Sequence, residues 1–180
     1  KLAEDGDPAT FNFALPHMRD GSNDYSLYCV SQNGEVLWSF ATGGRIESTA
    51  VTASDGTIYF GSNDWKLYAI DQDGNYKWNY FTQDAIISTP ALGNDGNIYF
   101  TSTDDTFYAL GSVGNLLVKY KFEGRITENS PIISTVGDVY LTLDDVSYSA
   151  INQSTVFALN VPSTGVSVSS WPMLGHDPQH

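Results

Sequence analysis

The stretch Gly61-Ser62-Asn63-Asp64-Trp65-Lys66-Leu67-Tyr68-Ala69-Ile70 decides the fold, because related stretches recur along the chain at a nearly constant step. One copy begins at Gly21 and another at Thr101, so both lie 40 residues from Gly61. A weaker fourth copy begins at Thr142, after a step of 41 residues. A period of about 40 residues is typical of a propeller blade. Such a unit cannot bury both of its faces alone and needs a neighbour on each side.

The clearest repeat predicts four short strands joined by tight turns. We expect these strands at Ile46–Ala53, Thr57–Ser62, Lys66–Asp71 and Tyr76–Thr82. Asp-Gly and Asn-Asp pairs lie between them, and these residue types tolerate the positive φ that tight turns require. The sequence therefore predicts an all-β fold, a β-propeller of four-stranded antiparallel blades with about four repeats of about 40 residues.

The repeats divide the whole chain. Residues 1–180 are expected to form a single β-propeller domain or part of a larger propeller. The repeats are predicted at approximately 9–45, 46–85, 86–125 and 126–164, and residues 165–180 are predicted to be the opening strand of a further or closing blade. The first repeat shows three candidate strands and lacks an opening one, so a strand from the tail, within Val166–Leu174, could complete it.

Two arrangements of the blades remain open from the sequence. In one, the four blades close into a small ring. In the other, they are part of a larger ring, completed by further blades or by a second copy around a twofold axis. A homodimer or an assembly with further blades is therefore a possible state of the molecule.

The charge balance excludes several classes of partner. The chain has 180 residues, with 8 Lys and Arg against 21 Asp and Glu, and a formal net charge of −13. Nucleic-acid binding needs clustered basic residues, so we expect no nucleic-acid partner. No run of apolar residues is long enough to span a membrane, so no membrane insertion is expected. The single cysteine, Cys29, allows no intrachain disulfide and is predicted to be a buried strand residue.

The segment from Ala69 to Trp78, Ala-Ile-Asp-Gln-Asp-Gly-Asn-Tyr-Lys-Trp, resembles the signature of pyrroloquinoline-quinone (PQQ) repeats. Asp73 stands where this family usually has Thr. The segment from Cys29 to Trp38 is a second, looser copy. The resemblance is to the PQQ-like repeat β-propeller family, which includes quinoprotein-like and BamB-like repeats. It extends from about Gly21 to the end of the chain.

The resemblance implies structural roles at recurring positions. In the family, the repeat Trp packs between blades, which a large flat ring with one N–H donor is suited to do. The structural repeat positions predicted on this basis are Trp38, Trp78, Gly34, Gly74 and Gly114.

The resemblance also implies a functional class. Non-enzymatic members act as protein-binding or assembly scaffolds in the bacterial periplasm or at the cell surface, so this chain is predicted to be such a scaffold outside the cytoplasm, with a protein partner or self-association. One alternative is a fragment of a PQQ-dependent dehydrogenase, and another is an extracytoplasmic sensor module of a larger receptor. We expect no cofactor for the scaffold, whereas the dehydrogenase alternative would bring PQQ and calcium.

Catalytic and metal-binding patterns find little support in the residues. No Gly-x-Ser-x-Gly elbow is present, so no catalytic residue is predicted. Acidic turns such as Asp104-Asp105, Asp144-Asp145 and Asp71-Gln72-Asp73-Gly74 could hold calcium, but they do not form a calcium loop and are expected to bind turn amides. His176, Asp177 and His180, with His17 elsewhere, could suggest zinc, but repeat alignment places His176 in a turn. No metal or cofactor-binding residue is therefore predicted.

Tyr25 and Trp65 are the candidate surface recognition residues. They share one repeat position, directly after an Asn-Asp turn. Propellers bind partners at loop faces, where side chains converge without disturbing the sheets. The competing interpretation places both aromatic rings in the packing between blades.

Overall fold

The structure is a computed structural model that describes residues 12–14, 24–31, 33–122, 126, 130–134, 137–144, 154–160 and 167–169. Every regular element in the described part is a β-strand, and the strands form four antiparallel sheets. The first sheet contains β1 (Asn12–Ala14), β2 (Ser26–Val30) and β3 (Val36–Ala41). The second sheet contains β4 (Val51–Thr52), β5 (Ile58–Gly61), β6 (Lys66–Ile70) and β7 (Tyr76–Phe81).

The other two sheets have the same order of strands. The third sheet contains β8 (Ala91–Leu92), β9 (Ile98–Ser102), β10 (Thr106–Leu110) and β11 (Leu116–Lys121). The fourth sheet contains β12 (Ile132–Ile133), β13 (Asp138–Asp144), β14 (Ser154–Asn160) and β15 (Ser167–Ser169). In every sheet, each strand pairs with the strand that follows it in the chain, as the tight turns predict.

The core lies between successive sheets. One cluster joins Leu27 of the first sheet to Phe60 and Tyr68 of the second. The next cluster packs the other face of the second sheet, including Tyr59 and Leu67, against the third sheet. A third cluster joins the third and fourth sheets. The two inner sheets are therefore buried on both faces, which explains why β5, β6, β9 and β10 contain almost only buried residues.

The opening strands are shorter than the sequence predicts. The first strand of the second sheet was expected over Ile46–Ala53, but β4 covers only Val51–Thr52. The amide of Thr49 donates to Oγ1 of Thr89 at 3.3 Å, and the amide of Thr89 donates to Oγ of Ser130 at 2.9 Å. These amides are bonded to side chains of the next repeat, so they do not extend the strand.

The fourth sheet departs from the predicted repeat. The sequence copy beginning at Thr142 places a turn at Asp144-Asp145, but β13 continues through Asp144 and β14 begins at Ser154. Residues 145–153 separate these strands, whereas only residues 103–105 separate β9 and β10. Because this connection has more residues, β14 begins later in the chain than the repeat step predicts.

β15 takes a different place from the one predicted for the tail. Ser167–Ser169 pairs with β14 and is the last strand of the fourth sheet, so these three residues do not open a further blade. The rest of the predicted tail strand, Val166–Leu174, lies outside the described residues, as do the histidines considered for zinc. The repeat boundaries themselves remain a prediction.

Candidate functional site

Trp65 lies at the turn between the second and third strands of the second sheet, and Tyr25 directly precedes β2, the strand equivalent to that third strand; we call this end the Trp65 end. Trp65 has a φ of 71°, and Asp105, at the same position of the third sheet, has a φ of 62°. Left-handed backbone is unfavourable for a bulky residue such as Trp. The indole of Trp65 is nevertheless 50% exposed, whereas Tyr25 is half-buried. Packing between sheets therefore does not account for the exposed part of the Trp65 ring.

Hydrogen bonds fix the backbone of Trp65. Its carbonyl oxygen accepts from the amide and from Oγ1 of Thr82, both at 2.9 Å. The carbonyl oxygen of Tyr25 accepts in the same way from Thr42, with both distances 2.8 Å. This pair of bonds connects the turn to the end of the last strand in the same sheet. The indole is thus presented from a rigid support.

The residue before Trp65 joins this turn to the preceding sheet. Oδ2 of Asp64 accepts from the amide of Gly43 at 2.9 Å, from the hydroxyl of Tyr68 at 2.5 Å and from Nζ of Lys66 at 3.2 Å. Burial alone would raise the pKa of Asp64, but these hydrogen bonds hold it below its ordinary value of 3.8. The carboxylate is therefore favoured in its charged form at neutral pH.

The same arrangement recurs in the neighbouring sheets. Oδ2 of Asp104 accepts from the amide of Gln83 at 3.0 Å and from the hydroxyl of Tyr108 at 2.7 Å. In the first sheet, the hydroxyl of Tyr28 donates to Asp24. Burial, followed by the bond to the aspartate, raises the pKa of Tyr108 above its ordinary value. These Asp and Tyr residues also recur at a step of 40 in the sequence, and this recurrence could have identified the pair. The repeat pattern alone did not distinguish them from the other recurring residues.

A cation and a second aromatic ring lie beside Trp65. Lys66 pairs across the sheet with Phe81, which is 63% exposed, and Nζ of Lys66 lies 5.1 Å from the centre of the Phe81 ring. We call Trp65, Lys66 and Phe81 the Trp65 surface. The positions of Lys66 and Phe81 are taken by Ser26 and Ala41 in the first sheet. In the third sheet these positions are Thr106 and Lys121, so of the first three sheets only the second carries this aromatic surface.

Two exposed acidic residues lie near the second-to-third strand turn of the second sheet. Glu47 accepts a hydrogen bond from Nδ2 of Asn63 at 3.1 Å, and the carbonyl oxygen of Asp84 accepts from Oγ1 of Thr82 at 2.6 Å. Glu47 and Asp84 are both exposed. The arrangement thus combines exposed aromatic rings with nearby negative charge.

The other predicted positions lie between the sheets. Nε1 of Trp38 donates to the carbonyl oxygen of Gln72 at 3.0 Å, and Nε1 of Trp78 donates to that of Ser112 at 3.2 Å. Gly74 has a φ of 81°, and a Cβ atom there would lie 2.7 Å from the Trp38 ring. A Cβ atom at Gly114 would lie 2.9 Å from the Trp78 ring. Each indole therefore covers a glycine turn of the next sheet.

Gly34 differs from these two glycines. It has the same left-handed backbone, with a φ of 83°, but a Cβ atom there would have nothing within 4 Å. No sheet precedes the first one in the described part of the chain, so no indole covers this turn.

Two of the three acidic turns considered for calcium bind backbone amides, and Asp145 of the third lies outside the described residues. Oδ1 of Asp71 accepts from the amides of Asp73 at 2.9 Å and Asn75 at 2.8 Å, and Oδ1 of Asp105 accepts from the amide of Ile126 at 3.1 Å. Within the residues that the structure describes, no three His, Cys, Asp or Glu side chains are grouped to hold a metal. Cys29 is a buried free thiol, and burial raises its pKa. The described strands and turns include no helix that could span a membrane.

Comparison with known proteins identifies the type of fold. Residues 21–90 match the family model of the outer membrane protein assembly factor BamB, which confirms the predicted resemblance to PQQ-like repeats over this range. No curated protein matches the chain. The structure is similar to BamB from Moraxella catarrhalis, with a TM-score of 0.53, 15% identity and coverage of 82% of this chain and 65% of that one.

Two enzymes of known structure are similar as well. The quinohemoprotein alcohol dehydrogenase from Comamonas testosteroni gives a TM-score of 0.55 at 23% identity, covering 68% of this chain and 20% of that one. Streptogramin B lyase gives 0.54 at 14% identity, covering 83% and 63%. The chain thus spans less than two thirds of the length of each of these three structures. The predicted all-β propeller fold is confirmed, and the number of blades remains a prediction.

Proposed function

We propose that this chain is a non-enzymatic scaffold that binds a protein partner through the Trp65 surface. The observation that carries the proposal is the half-exposed indole of Trp65, held in left-handed backbone at a fixed turn. Residues with strained backbone occur preferentially at functional sites, where the surrounding structure maintains them. Large aromatic side chains are also the residue types most enriched among those that dominate protein interfaces.

The chemistry of the site defines the partner. The exposed rings of Trp65 and Phe81 fit an apolar side chain of the partner, and the nearby Glu47 and Asp84 fit basic residues beside it. With a net charge of −13, the whole chain attracts a basic segment at long range, which speeds encounter more than it strengthens the final complex. The expected partner segment is therefore an apolar anchor flanked by Lys or Arg.

The proposed location is outside the cytoplasm, in the periplasm or at the cell surface. The match to an outer membrane protein assembly factor over residues 21–90 supports this location and an assembly role. Fold similarity alone does not determine function, and the same fold occurs in a dehydrogenase and a lyase. The proposal therefore depends on the Trp65 surface.

The test is a selection on the wild type from a library of random peptides displayed on phage, and binding of the selected peptides is then compared with Trp65→Gly. Glycine removes the indole and relieves left-handed strain of about 1–2 kcal/mol, so this variant is expected to fold. Leu116→Ala, an exposed site on the outer strand β11, is the matched control. Selected peptides should contain an aromatic or Leu residue beside Lys or Arg and bind at least tenfold more weakly to Trp65→Gly only. Selected peptides that bind all three proteins equally would contradict the proposal.

A further inference from the structure

We propose that a second copy of this chain packs its first sheet against the exposed face of the fourth sheet. The proposal is independent of the Trp65 surface, because it concerns the two outer sheets. It begins with a cross-strand pair that recurs in three sheets. Tyr59 pairs with Ala69 in the second sheet and Tyr99 pairs with Ala109 in the third. Tyr140 pairs with Ala158 in the fourth.

These pairs lie on equivalent faces but differ in exposure. Tyr59 and Tyr99 are 2% and 3% exposed because the next sheet packs against them, whereas Tyr140 is 38% exposed. On the same face of the fourth sheet, Ile132 pairs with Tyr140 and is 68% exposed, and Val156 is 43% exposed. This exposed face, formed by Ile132, Tyr140 and Val156, therefore has the composition of a packed face but no sheet against it in the described residues.

The first sheet has the complementary exposed face. In the third sheet, Tyr108 and Leu110 face the second sheet and are buried at 1% and 0% exposure. Tyr28 and Val30 occupy the same positions in the first sheet and are only half-buried.

The two faces match because the chain already contains three interfaces of this kind. The later sheet buries a Tyr-containing face at two of them, through Tyr68 and Tyr108, whereas at the third interface Val139, Leu141 and Leu159 of the fourth sheet pack against the Tyr99-Ala109 face. A second copy supplies the next sheet in the same form, with Tyr28 and Val30 placed as Tyr108 and Leu110 are in the third sheet. Every copy carries both faces, so two copies can satisfy each other reciprocally around a twofold axis.

The test measures molar mass in solution by light scattering, for the wild-type chain, two variants of the proposed interface and one control variant. The wild type should show concentration-dependent association to twice the 19.7 kDa of one chain. Both Tyr140→Asp and Val30→Asp should be monomeric, because each removes one side of both contacts. Leu117→Asp, on the outer strand β11 with a similar exposure of 46%, should associate as the wild type does.

Mixing the two monomeric variants provides the decisive result. The Tyr140→Asp copy keeps an intact first sheet and the Val30→Asp copy keeps an intact fourth sheet, so the mixture should recover one contact and form a heterodimer. An unfolded variant could not do this, so the mixture also reports folding. A monomeric wild type at about 100 μM, far above the Kd of a specific micromolar interface, would overturn the proposal. Association unaffected by either variant, or no recovery on mixing, would also overturn it.

Discussion

Trp78 and Gly114 show at the scale of single residues how neighbouring sheets are joined. The indole lies against a turn that only glycine can form without strain, and its N–H donates to Ser112 in the same turn. Trp38 and Gly74 repeat the contact one sheet earlier. The ring therefore contributes both apolar contact and a satisfied donor at the boundary between sheets.

A pair of glycine substitutions separates backbone strain from this contact. Gly34→Ala and Gly74→Ala both place a side chain at a φ above 80°, but only the second also places it 2.7 Å from the Trp38 ring. We expect Gly34→Ala to lower the free energy of unfolding by about 1 kcal/mol and Gly74→Ala by at least about 1 kcal/mol more. Urea denaturation followed by circular dichroism measures both. Equal losses would show that the indole does not restrict this turn.

For Trp65, the sequence could predict the position in the repeat but not the exposure or the backbone conformation. Its repeat position predicted a turn and an aromatic ring near a loop face, and both are present. Its exposure could not be predicted, because the sequence does not show whether a ring beside a turn packs between sheets or extends into solvent. The left-handed backbone could not be predicted either, because Trp65 and Asp105 are not glycine, the residue type that indicates a positive φ.

At the scale of elements, the aspartate of the second-to-third strand turn connects that turn to the preceding sheet in the second and third sheets. Asp64 bonds the amide of Gly43 and Asp104 bonds that of Gln83. The other oxygen of each carboxylate is buried without a partner in the described structure. One oxygen of each side chain thus makes the contact between sheets.

The pH dependence of stability tests the contact at Asp64. Its pKa is lower in the folded chain than the ordinary 3.8, so the charged form stabilises the fold above that value. This contribution is lost as the pH falls through the folded-state pKa. Asp64→Asn should therefore be less stable than the wild type at pH 7, and the difference should shrink below pH 3.8.

Thermal or urea denaturation between about pH 2 and 7 measures this difference across the range in which the carboxylate titrates. Asp73→Asn, in an exposed turn, is the control for the substitution itself. A constant difference between the wild type and Asp64→Asn at every pH would show that the charge of Asp64 does not contribute.

The fourth sheet shows why element boundaries fail where a repeat has diverged. The fourth sequence copy, which begins at Thr142, predicted a turn at Asp144-Asp145, because this pair resembles the turn at Asp104-Asp105. The structure shows instead that Tyr140 pairs with Ala158, as Tyr99 pairs with Ala109. The two sheets share this cross-strand pair, whereas the connection between the paired strands has more residues in the fourth sheet. Turn residues can be predicted from a single sequence more readily than the residues that pair across strands. The sequence therefore did not predict the longer connection.

At the scale of the whole molecule, the step of 40 residues was sufficient to predict the architecture. It predicted four-stranded units, the order of strands in the second and third sheets, and burial on both faces of those sheets. The repeat step could not predict what lies beyond the outer sheets, because identical units fit a closed ring, an arc or an assembly. The exposed face at Tyr140 identifies the residues that a further sheet would cover.

The propeller arrangement also explains why a binding surface can form at the Trp65 end. Stacked sheets place their second-to-third strand turns at one end, and bonds such as those of Asp64 and Thr82 make that end rigid. Changes in a turn then alter recognition with little effect on the core. The aromatic surface of the second sheet is consistent with such a local specialisation.

The most direct test of the scaffold proposal is photo-crosslinking from position 65 in the cells that naturally produce the protein. A photoreactive phenylalanine analogue replaces Trp65 in one variant and Leu116, on the outer strand β11, in the control. Irradiation should yield a discrete covalent adduct with another protein from position 65 and none from position 116. The absence of an adduct at position 65, or the same adducts from both positions, would contradict the account.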